Sequence, residues 1–164
     1  MPSNKKKYVG NLYNITYRSL WERKFMVYCD RNESILAWAS EEIYIHYISP
    51  IDNKIHRYFP DFFIKVRQKD KSIKNMLIEI KPKSQTEPKK AEAKPKPKAK
   101  PKAKPKIKPK SQCLPPKIPK RKTKNYLYEM KTWSVNQAKW KAATEWCEDR
   151  KYEFKLITEN ELGI

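Results

Sequence analysis

The sequence predicts an α/β fold: a mixed β-sheet flanked by helices and interrupted by a disordered Lys/Pro-rich insertion. Three observations carry this. Residues 58–81 hold two apolar, β-branched and aromatic runs, Y-F-P-D-F-F-I-K-V-R and N-M-L-I-E-I-K, around a polar Q-K-D-K-S-I-K, which is the pattern of two strands joined by a hairpin. Helical periodicity precedes this hairpin and returns after residue 134, the second time followed by an alternating strand. Between them, residues 82–124 contain ten prolines and the near-periodic string A-K-P-K-P-K-A-K-P-K-A-K-P-K, which has no apolar face to bury.

The elements follow in order. Residues 1–7 form a basic arm predicted to fray. Gly10-Asn11 marks a turn. Ser19-Leu20-Trp21-Glu22 fits a capping box opening a helix whose apolar stripe is Trp21, Phe25 and Tyr28, ending at 30–32. A short buried segment (35–39) precedes a strand over 42–48, a turn at 49–54, and a further strand from Ile55 into Pro60-Asp61. His46 and His56 lie on strand-like segments without a second ligand at useful spacing, so structural roles are expected and no zinc site. After the insertion, 126–130 reads as a short strand or turn. A helix then starts at a second capping box, Ser134 to Gln137, with Val135, Ala138, Ala142 and Trp146 on its buried face, ends near Arg150, and leads to a strand over 152–158. The organisation is therefore 1–81 and 125–164 as two parts of one domain, joined by a flexible, polyproline-like linker over 82–124.

Composition bounds the function. The chain has 164 residues, enough for one real core, and a formal net charge of +20. Residues 82–124 account for +15 of that charge, leaving an ordinary mildly basic remainder. A polyanionic partner, most simply double-stranded DNA, is implied, with the insertion following phosphates without reading bases. Three cysteines at Cys29, Cys113 and Cys147 have no metal-type spacing and predict a reduced, cytosolic protein. No window has the apolar length of a signal peptide or membrane span, so neither is expected.

The chemistry gathers on the hairpin. With the turn centred near Asp70, opposing residues place Asp61 across from Glu79. Strand alternation puts Glu79 and Lys81 on one side and Ile78 and Ile80 on the other. Two carboxylates and an ammonium at one patch can hold a hard cation such as Mg²⁺, with Mn²⁺ as a substitute, for phosphodiester hydrolysis. Lys81 would orient water or stabilise the added negative charge. Glu22 lies beside the first helix's stripe and could point toward the sheet edge, although a capping role explains it equally well. Gln137 and Lys139 could reach a phosphate, and the default for both is exposed helix surface.

The order helical Glu, P-D, E-x-K, helix, strand resembles the PD-(D/E)xK restriction-endonuclease-like superfamily. Y-R-S-L-W-E-R-K (17–24), W-A-S-E-E (38–42), H-R-Y-F-P-D-F (56–62), I-E-I-K-P (78–82), W-S-V-N-Q-A-K-W (133–140) and E-F-K-L-I-T-E (153–159) resemble, more narrowly, the head completion nucleases of T4-like tailed bacteriophages. A more distant likeness is to transposon-end nucleases of the same fold. The resemblance implies Asp61 and Glu79 as metal ligands, Lys81 as catalytic lysine and Glu22 as a completing acid. It further implies a Mg²⁺-dependent DNA endonuclease trimming packaged DNA before head-tail joining, with head, portal or neck components as partners. Its place would be the host cytoplasm during assembly or the virion. The alternatives are a non-catalytic DNA-binding neck protein and a transposon-end or junction nuclease.

Overall fold

The structure is a computed structural model that describes residues 4–86 and 124–161. After a 3₁₀ turn at Lys5–Lys7 come α1 (Leu20–Arg31), β1 (Ile35–Ser40), β2 (Ile45–Ile48), β3 (Ile55–Tyr58), β4 (Phe62–Arg67) and β5 (Ile73–Ile80). A single-turn α2 (Lys83–Thr86), a long α3 (Lys124–Asp149) and β6 (Glu153–Ile157) complete the order. The main sheet runs β1-β4-β5-β6, antiparallel at its first two junctions and parallel between β5 and β6; β2 and β3 form a separate antiparallel pair. This is the expected mixed sheet with helices against it.

The β4–β5 hairpin has the expected register, with Phe62 opposite Ile78 and Arg67 opposite Ile73. Its loop is held by Asp70, whose Oδ1 accepts from the Ser72 N–H at 3.0 Å and the Ser72 hydroxyl at 2.7 Å. The run from Tyr58 to Arg67 is not one strand, however. Tyr58 ends β3 in the small pair, and Phe59-Pro60-Asp61 carries the chain across to the main sheet. Pro60 has no N–H for a ladder, so the break falls where pairing must lapse.

Alternation along the strands separates two apolar layers. Phe62, Ile64, Ile78 and Ile80 face α1, meeting Phe25, Met26 and Cys29. Leu77 and Phe63 face the other way, toward Ala143 and Cys147 of α3 and toward Ile45, Tyr47 and Tyr58 of the β2–β3 pair. Cys29 and Cys147 are thus free, buried thiols in different layers.

The helices depart from expectation in instructive ways. α1 starts at the predicted cap: the Ser19 hydroxyl oxygen accepts from the Glu22 N–H at 3.2 Å. Its buried stripe is Phe25, Met26 and Cys29, with Trp21 half-buried, whereas Tyr28 is exposed at the margin and reaches the core only through its ring contact with Phe25. From residue 4 the basic arm is ordered, because the Lys7 ammonium donates to the carbonyls of Asp30 and Asn32 at 3.1 and 2.8 Å, neutralising the C-terminal end of α1.

α3 begins ten residues before Ser134, so 126–130 is helix, and Ser134 caps nothing. Its hydroxyl donates instead to the Lys131 carbonyl one turn back, at 2.9 Å. The most buried positions are Trp140, Ala143 and Cys147, while Val135, Ala138, Ala142 and Trp146 pack half-buried beside them. The linker assigned to 82–124 also has different margins, since α2 takes 83–86 and α3 takes Lys124. Its polyproline-like reading, the cysteine at 113, residues 1–3 and residues 162–164 lie outside the described residues. Among the described residues no helix is long and apolar enough to cross a membrane.

Candidate active site

The site forms where the β4–β5 ladder ends. Asp61 stands one residue before β4, its carbonyl accepting from the Glu41 N–H at 3.2 Å, and its Oδ2 accepts from the Ile80 N–H at 2.7 Å. That bond draws the carboxylate over the end of β5. Glu79, on β5, points away from the α1 layer and is 3 % exposed. Its Oε2 accepts from the Tyr58 hydroxyl at 2.7 Å, and its Oε1 from the Lys81 ammonium at 2.9 Å. Lys81 follows β5 directly, anchored by its N–H to the Ile157 carbonyl of β6 at 3.0 Å. The parallel β5–β6 junction therefore fixes the lysine as the antiparallel β4–β5 junction fixes the two acids.

The electrostatics follow from burial. Asp61 is pushed up to about 7, first by burial and then by the charge of Glu79, against the pull of Lys81 and the Ile80 N–H. Burial pulls Lys81 down, but the charges of Glu79 and Asp61 outweigh it and raise its pKa, so it stays an ammonium at neutral pH. Desolvation, followed by the Glu79 charge and hydrogen bond, drives the Tyr58 phenol well above its usual value, so it remains a donor.

Glu22 takes the capping reading. Its Oε2 accepts from the Arg18 N–H at 2.6 Å and its Oε1 from the Ser19 hydroxyl at 2.8 Å, completing the cap. Its charge is also felt at Asp61 and Lys81, from the α1 side of the sheet. It hydrogen-bonds to neither.

Two further groups join the site: Tyr58, which the sequence did not single out, and Lys139, for which exposed helix surface was the default. Tyr58 is the donor that orients Glu79. Lys139, on α3, holds its ammonium 5.5 Å from the Tyr58 ring centroid and 5.8 Å from that of Tyr47, half-buried rather than on the open helix surface. Desolvation lowers its pKa, and the charges of Glu79, Lys81 and Asp61 reach it. Its signal was present: Lys139 falls on the same helical stripe as Val135 and Ala142, a cation on an apolar face. Tyr58 carried no comparable local signal. Gln137 also lies inward, with its Nε2 buried and without a hydrogen-bond partner among the described residues. His46 and His56 are exposed on the β2–β3 pair, and His56 bonds to Asp52 Oδ2 at 2.9 Å.

The donor set fits one hard divalent cation. Asp61 and Glu79 offer carboxylate oxygens, and the anionic form of Asp61 is disfavoured by the very burial and repulsion that a cation would relieve. Mg²⁺ takes one or two carboxylates and completes its shell with water and phosphate. Among the described residues no cluster of three or more His, Cys, Asp or Glu side chains adds to the pair.

A mixed sheet whose end gathers an acid before one strand, an acid on the next and a lysine two residues on is the architecture of a restriction-endonuclease-like nuclease domain. The chain belongs to the family described as TnsA-like endonuclease, N-terminal, whose model matches residues 32–159 and so contains Asp61, Glu79 and Lys81 but not Glu22. It is 36 % identical over 162 residues to the "Head completion nuclease" of Enterobacteria phage T4, covering 99 % of this chain and 90 % of that protein. No solved structure matches.

Proposed function

We propose that this protein is a Mg²⁺-dependent DNA endonuclease of phage head completion. One observation carries the reading: Asp61, Glu79 and Lys81 meet at the end of the β4–β5 hairpin in a chain that belongs to an endonuclease family. The assembly role rests on the likeness, along almost the whole chain, to the T4 head completion nuclease. Head, portal or neck components are then the protein partners, and the host cytoplasm or the virion the place of action.

Hydrolysis adds water to phosphorus, breaks one P–O ester bond and leaves a phosphomonoester and a free hydroxyl. Asp61 and Glu79 are the residues that would hold Mg²⁺ or Mn²⁺. When bound, such a cation supplies charge neutralisation for the phosphate and acidifies water. The chain's own residues do the rest. Lys81 is charged at neutral pH and so acts as a donor, to a phosphoryl oxygen or to the attacking water, rather than as a base. Tyr58 keeps Glu79 in one orientation, and Lys139 adds a second positive group facing the same carboxylates. Glu22 biases the site electrostatically from the α1 cap.

The test is cleavage of linear and supercoiled DNA in Mg²⁺ and in EDTA, comparing the parent with Glu79→Ala and Lys81→Ala. Cutting that needs the metal and disappears in both variants is the expected result. A parent that binds DNA but cuts it under no divalent metal would move the assignment to a DNA-binding neck component.

A further inference from the structure

The outer face of the β2–β3 pair is unusual beside a site for a polyanion. Ile45 pairs with Tyr58, so Tyr44 and Phe59 fall opposite one another one step beyond the ladder. Their ring centroids are 6.0 Å apart and tilted by 48°. The inner residues Ile45, Tyr47 and Tyr58 are buried in the core, yet Tyr44 is 50 % and Phe59 42 % exposed. A cation and a further ring accompany them: the Arg57 guanidinium lies 5.8 Å over the Tyr44 ring, and the His46 ring is 5.4 Å from it. Large aromatic rings left in water next to a cation are the informative kind of exposure.

Phe59 also lines a polar cleft of about 280 Å³, together with Asn14, Thr16, Ser40, the ion-paired Arg18 and Glu41, and Glu42, whose Oε1 accepts from the Tyr8 hydroxyl and the Asn11 N–H. The cleft adjoins the candidate active site, because Glu41 donates to the carbonyl of Asp61. Asp61 itself follows Phe59 by two residues, and an extended chain spans at most ~3.6 Å per residue. The backbone at Phe59 is therefore within ~7 Å of that at Asp61. The cleft that Phe59 lines leads from Glu41, which bonds Asp61, so that cleft is the path open to a nucleoside adjoining a phosphate held at Asp61, Glu79 and Lys81. Inside a duplex both faces of a base are covered by its neighbours. A ring beside the scissile phosphate can meet only a base that has left the stack.

We propose that Tyr44 and Phe59, with Arg57 and the cleft beside Phe59, receive an unpaired nucleobase next to the scissile phosphate. The substrate class is then DNA with a frayed, forked or overhanging end rather than an intact duplex. This rests on the nuclease reading and adds a preference to it. Stacking on the rings supplies the affinity without base readout, and the cation over Tyr44 supports both ring and phosphate. A protein partner is the competing occupant, since Ile48 and Ile55 stand exposed farther along the same face.

The test reads binding, not cutting. The full-length protein, in EDTA and about 0.2 M salt to suppress purely electrostatic binding, is titrated with a blunt duplex and with the same duplex carrying an unpaired end. A 2-aminopurine in the unpaired end reports stacking. The fork should bind at least about fivefold tighter, the lower end for a base stacked on an aromatic ring, and quench the 2-aminopurine. In Tyr44→Ala and Phe59→Ala the fork should fall to the blunt duplex's affinity and the quench should vanish, while Tyr44→Phe keeps both. A parent that binds the two DNAs equally overturns the proposal. So does a parallel loss of both in variants that still melt cooperatively, or variants that bind and quench like the parent, which would leave the face to a protein partner. A chain that shows the preference yet never cuts in Mg²⁺ sinks the nuclease reading alone.

Discussion

Asp61 is held between opposing demands, and its protonation should be visible in stability. Its carboxyl lies at about 7 in the folded, metal-free chain against an ordinary 3.8, so between those values the folded protein keeps a proton that the unfolded chain has released. The stabilisation this gives is complete below the lower value and is lost as pH rises through the upper one. Asp61→Asn removes the dependence. In EDTA the variant should gain stability over the parent from pH 5 to pH 8, by up to about 3 kcal/mol and by less to the extent that Glu79 shares the proton. Parallel melting curves across that range would show that burial and the Glu79 charge do not hold Asp61 protonated in the folded chain. Tyr58→Phe tests the same cluster from its neutral side. Deleting the hydroxyl that donates to Glu79 leaves a 3 % exposed carboxylate short of one partner. The loss should be about 1–3 kcal/mol of stability. For a residue orienting a metal ligand it should also raise the Mg²⁺ needed for half-maximal cutting by about 10–100-fold. An unchanged metal titration would make Tyr58 a packing residue only.

The α1 N-terminus offers a way to separate Glu22's two roles at the level of the element. Ser19→Ala removes the cap acceptor and should cost about 1 kcal/mol by denaturant unfolding, with cleavage unaltered once the protein is folded. Glu22→Gln keeps hydrogen-bonding atoms toward Ser19 and Arg18 but removes the charge felt at Asp61 and Lys81. If that charge matters, the variant should melt close to the parent and cut more slowly. If both measurements match the parent, Glu22 is a cap alone. What could be read in the sequence divides along the same line of local against distant. The β4–β5 register was legible because Asp70 makes its turn within the loop and because apolar alternation admits only one pairing. The α1 cap was legible because its two bonds lie within four residues. By contrast, the start of α3 was hidden: aromatic residues at 126 and 128 suit strands locally, and the helix there is set by its surroundings. Lys139 showed as a cation on an apolar helical stripe, but the break at Pro60 and the arrival of Tyr58 at the carboxylates depend on how the β2–β3 pair crosses α3, which no local pattern encodes.

At the scale of the whole molecule, charge and chemistry occupy different stretches of chain. The candidate active site uses three charged residues within 61–81, whereas the net charge of +20 is concentrated in the Lys/Pro-rich segment. Replacing the nine lysines between Ala93 and Ser111 by Gln lowers that charge to +11 while keeping every residue of α1, the sheet and α3. Each lysine that contacts a phosphate releases a counterion on binding, so each one removed should flatten the slope of log K against log salt by about 0.9. The variant should therefore bind DNA more weakly at low salt and approach the parent as salt rises. Its cooperative melt should be preserved, and cutting at saturating DNA should be retained, because the carboxylates and Lys81 draw their positions from β4, β5 and β6. A variant with the parent's salt slope would mean that the segment does not touch DNA. The affinity would then have to come from the folded part, whose Lys139 and Lys81 already face the carboxylates.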